Sequence, residues 1–311
     1  MQDLIIFYSP PGAGPYWDWR VAADLFCGGI GVGAFLFAVL ADWRYGAPRE
    51  RVCQTAAWIA PFFVVAGMLF LLSEMGHPER IFYTLVSFRL TSPLWWGGVF
   101  QGLLIAGASL YALLWLEPSA RVQARRRLGA LLLPVAIVVG AYHGFLLAFV
   151  RARPLWNTGP ALTTAVLGFL TTGLAAVLLV HLARARWTGR IENEPHMRTF
   201  FDDMREVRVI LGFTLILQMF TVFVWWVSLS FGREPAQAAI EVALQGANGW
   251  YAASALGVGV IAPLVLGGAV VAGESRVSTR LEIHAVWISS VLILIGGFVM
   301  RLAVTAAGQL S

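Results

Sequence analysis

The sequence predicts an all-α integral membrane protein with eight transmembrane helices, and three observations carry that expectation. Eight long apolar segments fill most of the 311 residues. The chain is 59% hydrophobic and its mean hydropathy is +0.74, too high for a soluble domain carrying an anchor. Its arginines cluster in alternate loops. A helix needs about 20 apolar residues to span the hydrocarbon core of a bilayer, and the segments are of that length.

The segments run, to within a few residues, over roughly 18–43, 55–73, 92–116, 128–150, 159–183, 205–229, 247–272 and 281–306. The first carries Gly28, Gly29, Gly31 and Gly33 directly after Asp24, and small residues let membrane helices approach closely. The second closes on Glu74, just before Met75-Gly76-His77-Pro78-Glu79-Arg80. The third rests on length and apolarity alone. The fourth bears Tyr142 and His143 about two turns before its end. The fifth holds Thr171, Thr172 and His181, and the sixth holds Gln218, a side chain of the kind that glues helices together. The seventh again rests on length. The eighth places Arg301 near its end, followed by Ala307-Gly308-Gln309. No connection is long enough for a second domain, so residues 1–311 form a single transmembrane domain. The largest connection, about 184–204, is polar and arginine-rich.

All 22 basic residues are arginine. A sequence pI near 9.7 raises the question of nucleic acid, but these arginines lie in short loops, where they set topology. Loops after the odd-numbered segments carry Arg44, Arg49, Arg51, Arg121, Arg125, Arg126, Arg127, Arg184, Arg186, Arg190, Arg198, Arg205, Arg276 and Arg280. The opposite side has Arg80, Arg89, Arg151, Arg153 and Arg233, with Arg20 at the start of the first segment. Cytoplasmic loops hold the arginine excess, so both termini are expected to be extracytoplasmic. The amino end has no basic region of the signal-peptide kind, and the first segment is expected to be retained. Cys27 and Cys53 cannot hold an iron–sulfur cluster alone and read as small buried or interfacial residues.

Charge in hydrocarbon is costly and usually marks a functional site. Asp24 lies about two turns inside the first helix, with Arg20 four residues earlier on the same face. Either the two form a snorkelling salt bridge, or the carboxylate faces a cavity. Adjacent residues point about 100° apart on a helix, so only one of Tyr142 and His143 is expected to face any given cavity. Asp24, Glu74, Tyr142, His143 and Arg301 all fall at one membrane face. An alternating-access transporter wants its site near the midplane. A one-sided site suits a lipid-soluble ligand that trades protons and electrons with one face, for which a quinol is the natural candidate. A buried carboxylate or imidazole can take its proton. His181 and His284 fall near the opposite ends and read as interfacial side chains rather than haem ligands.

Several stretches resemble the NrfD/PsrC family, the polysulfide-reductase-type membrane subunits of respiratory complexes. They are Trp17-Asp18-Trp19 with Asp24-Leu25-Phe26-Cys27-Gly28-Gly29, Gly76-His77-Pro78-Glu79-Arg80, and Ser92-Pro93-Leu94-Trp95-Trp96-Gly97. Tyr142-His143-Gly144-Phe145-Leu146-Leu147, Arg153-Pro154-Leu155-Trp156-Asn157, and Arg301 with Ala307-Gly308-Gln309 complete the pattern. The resemblance implies two four-helix bundles, residues 1–150 forming the quinone-site bundle and 151–311 the second. It implies a multi-pass protein of the bacterial inner (cytoplasmic) membrane that binds menaquinone or ubiquinone, with no haem or iron–sulfur cluster of its own. The implied partners are an extracytoplasmic iron–sulfur subunit and, beyond it, a molybdopterin catalytic subunit or a multihaem cytochrome. The family's helix 4 tyrosine corresponds to Tyr142. Some polysulfide reductase anchors supply an asparagine and a histidine from helix 1, where this sequence aligns Val21 and Asp24.

The expected function is a quinone-reactive subunit of a respiratory oxidoreductase, not its terminal catalytic subunit. Tyr142 would bond a quinone oxygen, Asp24 would exchange the proton, and His143 or Glu74 would relay it. His77, Arg80, Arg151 and Arg153 are candidates for docking the partner. A secondary transporter, a haem-b quinol subunit and a passive anchor are the alternatives.

Overall fold

The computed structural model describes residues 17–45, 50–74, 83, 86, 91–148, 150, 152–189, 191, 194–273 and 278–310. Among them there is helix and turn but no strand. Eight helical stretches are long and apolar enough to cross a membrane, which makes this a multi-pass membrane protein. The helices are α1 (Trp19–Arg44), α2 (Glu50–Glu74), α3 (Pro93–Leu113), α4 (Val122–Ala148), α5 (Gly159–Trp187) and α6 (Glu194–Asp203). There follow α7 (Arg205–Ser230), α8 (Glu234–Leu244), α9 (Gly246–Leu256), α10 (Ala262–Gly273) and α11 (Thr279–Leu310).

Several helices outrun the apolar runs that predict them. α2 begins at Glu50, α4 at Val122, and α11 ends at Leu310, because backbone hydrogen bonding continues past the hydrocarbon boundary. The seventh segment is a pair, α9 and α10, joined by a π-turn over Gly257–Ile261. There Gly259 meets Gly296 of α11 backbone to backbone. The polar connection after α5 folds into the short helix α6.

α1 packs against α2, α4, α5 and α11 and forms the axis of the main core, with Phe35, Val39 and Ile30 essentially inaccessible. Glycine makes this possible. A Cβ on Gly173 of α5 would lie 2.7 Å from the Gly33 Cα, so the two backbones touch. Gly173→Val is therefore expected to lower stability by about 1–3 kcal/mol through overpacking. Thermal unfolding in detergent would measure it, with Gly212→Ala, where a Cβ meets nothing within 4 Å, as the neutral control. The outer faces are apolar too: Phe213, Phe220 and Phe223 on α7 and Leu131 on α4 are exposed, as lipid contact requires.

The two ends of the described chain meet. The backbone N–H of Trp17 donates to Gln309 Oε1 at 2.8 Å, and Gln309 Nε2 donates back to the Trp17 carbonyl at 2.9 Å. Trp17 stacks on Trp156, ring centroids 5.3 Å apart. Trp156 lies against Gly308 and donates from Nε1 to the Val304 carbonyl at 2.8 Å. Three of the family-like stretches thus form one clamp, over a small second core that includes Trp225 and Leu229 of α7 and Ala239 of α8.

At the opposite end the structure corrects the loop reading of Arg125. It is 3% exposed, donating from Nε and Nη2 to the two carboxylate oxygens of Asp42 at 3.0 and 2.8 Å. Its guanidinium also lies 3.7 Å over the Trp115 ring and donates to the Pro118 carbonyl. The arginine stays inside because Asp42 on α1 supplies a buried fork-shaped acceptor. Cys27 and Cys53 are free and buried, as expected.

Candidate functional site

Asp24 lies deep on α1, 2% exposed, and its Oδ1 has no hydrogen-bond partner. The salt bridge to Arg20 does not form. Arg20 instead sits 3.3 Å from Asp18 and donates to the Ser73 carbonyl at 2.6 Å, because it belongs to the first turn, beside the helix cap. Asp18 caps α1 by accepting from the Arg20 N–H at 2.7 Å. A buried polar group without a partner costs free energy until a ligand, water or proton satisfies it.

Asp24 fits because α2 offers Gly67 opposite: a Cβ there would lie 3.0 Å from Asp24 Oδ1 and 3.0 Å from the Gly28 backbone nitrogen. His143 of α4 sits on the same glycine, with Nε2 2.9 Å from where a Gly28 Cβ would be. The Asp24 carboxyl is thus set against Gly67 and the His143 ring against Gly28, and Gly67 and Gly28 themselves pack together. His143 is 1% exposed. Its Nδ1 lies 2.8 Å from the Val139 carbonyl; a carbonyl only accepts, so Nδ1 carries a hydrogen. Nε2 is buried with no partner. Phe169 of α5 meets the ring edge-on at 5.9 Å.

Tyr142 turns the other way, as the helical spacing requires. Its phenol packs directly against Gly97 of α3, where any larger residue would collide with it. Arg301 of α11 is 8% exposed and has no carboxylate within ion-pair distance among the described residues. It donates to the carbonyls of Gly297 at 2.6 Å and Leu25 at 3.3 Å and to Thr172 Oγ1 at 3.5 Å. Phe26 and Phe169 each lie 5.4 Å from its guanidinium carbon.

The structure does not bring the whole expected set together. Glu74 ends α2 beside Asp18 and Arg20, in the cap cluster about two turns from Gly67 along the helix. His77, Arg80 and Arg151, with the Gly76-His77-Pro78-Glu79-Arg80 motif, lie outside the described residues. Arg153 belongs to the turn before α5, its carbonyl accepting from Trp156 and Asn157 at 3.1 and 3.0 Å.

A cavity of about 50 Å³ opens on the other flank of His143, between α4, α5, α7 and α11. Asp24, Tyr142 and Glu74 do not line it. His143, Thr164, Gln218, Trp225, Arg301 and Thr305 do. His143 Nε2, Thr164 Oγ1, Trp225 Nε1 and Thr305 Oγ1 are all buried without a partner. Gln218 accepts from Thr171 at 2.8 Å. Sequence reasoning missed Thr164, Trp225 and Thr305. They stand on three different helices, and membrane threonines commonly bond back to their own helix, so no spacing signals them.

Known proteins resemble this one over nearly its whole length. The family model described as Polysulphide reductase, NrfD matches residues 12–311. Protein NrfD of Escherichia coli K12 is 25% identical over 325 aligned positions, covering 95% of both sequences. The matching polysulfide reductase chain of Wolinella succinogenes is 26% identical over 320, covering 94% of both. A selenate reductase subunit of Mesobacillus selenatarsenatis matches at 32% over 80 residues, 26% of this sequence and 19% of that one. The family match runs from the amino-terminal region through the Trp17–Gln309 clamp to the last residue, and this protein belongs to the NrfD (polysulphide reductase) family of membrane proteins.

Proposed function

We propose that this protein is the quinone-reactive membrane subunit of a respiratory oxidoreductase complex, with its quinone site at Asp24, Tyr142 and His143. The observation that carries the reading is the pair of unpartnered buried atoms, Asp24 Oδ1 against Gly67 and His143 Nε2 against Gly28, on the contact between α1 and its neighbours α2 and α4. A quinol supplies two electrons and two protons, and its oxygens need a hydrogen-bond partner and a proton acceptor. The phenol of Tyr142 donates to one oxygen. Asp24 takes the two protons one after the other, His143 passing each on through its free Nε2, while the two electrons leave to the docked iron–sulfur partner. The surrounding phenylalanines and glycines give the apolar walls that a quinone ring requires.

The arginine distribution supports an orientation with both termini extracytoplasmic, in a bacterial cytoplasmic membrane. We read helices α1–α4 as one four-helix bundle and α5, α7, α9/α10 and α11 as a second, joined where α5 and α11 pack on α1. An extracytoplasmic iron–sulfur protein docks over the site, where His77, Arg80, Arg151 and Arg153 meet it, and wires it to a molybdopterin subunit or multihaem cytochrome. Two of the relatives are named as components of reductases, for polysulfide and for selenate, which supports that assembly.

Binding of a quinone analogue to the purified protein tests the reading. Tyr142→Phe removes one hydrogen bond and is expected to weaken binding by roughly 5–10-fold, on the usual worth of a single bond. Unchanged affinity would remove Tyr142. Transport of a solute by the protein without a redox partner would favour a secondary transporter, and absence of any quinone binding would leave a passive anchor. A second reading puts the quinone ring in the His143-lined cavity, favoured by its four orphaned polar atoms. There Trp225→Phe, rather than Tyr142→Phe, would weaken the analogue.

A further inference from the structure

At the arginine-rich end of the molecule a second, wider cleft opens between α5, α6 and α11, with a volume of about 560 Å³. Its rim carries Arg186 from the end of α5 and Arg280 and His284 from the first turns of α11. Neither arginine has a carboxylate within ion-pair distance among the described residues. Glu282 is buried and does not line the cleft. His284 Nδ1 lies 2.6 Å from the Arg280 carbonyl, so Nδ1 carries a hydrogen and Nε2 is left for another partner.

Below this basic rim the wall becomes apolar. Leu182, Met197 and Ile283 form a buried floor, and Trp287 is half-exposed along one side. Arg280, Ile283, His284 and Trp287 share one helical face, and Trp287 lies about 10 Å deeper along the axis than Arg280. Trp187 beside the rim is 93% exposed, an aromatic of the kind that sits at the headgroup level.

The geometry points to an anionic diacyl phospholipid bound in this cleft, with its phosphate between Arg186 and Arg280 and an acyl chain along Trp287. Planar guanidinium groups match phosphate oxygens in pairs, and basic pockets between transmembrane helices are where acidic headgroups settle. A soluble anion would use the rim but leave the 10 Å-deep apolar wall (about seven residues of rise) unsatisfied. The lipid satisfies both. It would also tie α5 to α11 on the face away from the quinone site, and it does not depend on that site.

The full-length protein, purified in detergent and stripped of lipid, tests this. Native mass spectrometry is expected to show retention of added phosphatidylglycerol over phosphatidylcholine with the same acyl chains. Arg186→Gln with Arg280→Gln is expected to weaken that retention roughly 30-fold, on the usual worth of two arginines at an anionic surface. Phosphatidylglycerol with brominated acyl chains should quench tryptophan fluorescence, and Trp287→Phe should reduce the fraction quenched. Equal retention of phosphatidylcholine overturns the proposal. So does displacement of the lipid by millimolar inorganic phosphate, which would mark a soluble-anion site. If the double variant fails to fold, headgroup selectivity in the unaltered protein and the Trp287→Phe quenching decide the matter, and unchanged quenching overturns it.

Discussion

Asp24→Asn is expected to reduce quinol-linked turnover of the assembled complex by about 10²–10⁴-fold, the usual worth of a positioned proton acceptor. The substitution keeps shape and hydrogen bonding, and Gly67 leaves the niche as it was. What it removes is the ability to take a proton. Assembly and analogue affinity should therefore be little changed, and the loss should fall on turnover. The absence of an Asp24–Arg20 salt bridge sharpens the experiment: Arg20 is engaged with Asp18 and Ser73, so removing the charge at position 24 strands no cation. Near-normal turnover would remove Asp24 from the mechanism.

Breaking the Asp42–Arg125 pair should have the largest effect on stability. Arg125→Leu leaves the Asp42 carboxylate, 1% exposed, without its two donors. Stranding one member of a buried pair costs about 3–5 kcal/mol. Replacing both, Asp42→Leu with Arg125→Leu, should recover most of that loss, because an apolar pair of similar volume needs no counter-charge. Thermal unfolding of single and double variants in detergent forms the cycle. A double variant no better than the singles would mean that the contacts to Pro118 and Trp115, and not the ion pair, hold α4 to α1. Arg126 donates to the Asp42 carbonyl at 2.9 Å, and its Nε lies 4.0 Å from Asp42 Oδ1, so it softens the loss in Arg125→Leu and loses its own carboxylate wherever Asp42 is replaced.

The polar site was legible to different depths at different residues. Asp24 announced itself because a carboxylate inside an apolar run is improbable without a task, and the structure buries it with Oδ1 unpartnered. Tyr142 and His143 were singled out together, and the 100° step between them correctly implied separate environments. The partners of these residues were invisible. That Gly28, Gly67 and Gly97 are the niches for His143, Asp24 and Tyr142 follows from which helices face each other, and a run of apolar residues does not say that. The reading of Arg125 as a loop charge failed for the same reason: its partner Asp42 lies 83 residues away.

Membrane insertion, the eight crossings and the placing of unusual polar side chains follow from composition and apolar run length, because hydrocarbon penalises each exposed backbone or charged group locally, residue by residue. Which helices touch was decided by folding. α1 became the central axis because glycine let α5 close onto it, and the Trp17, Trp156 and Gln309 stretches became one clamp. The orphan-lined cavity and the basic cleft are assembled from helices far apart in the sequence. Packing among equally apolar faces depends on shape rather than on hydropathy, and shape exists only once the helices have met.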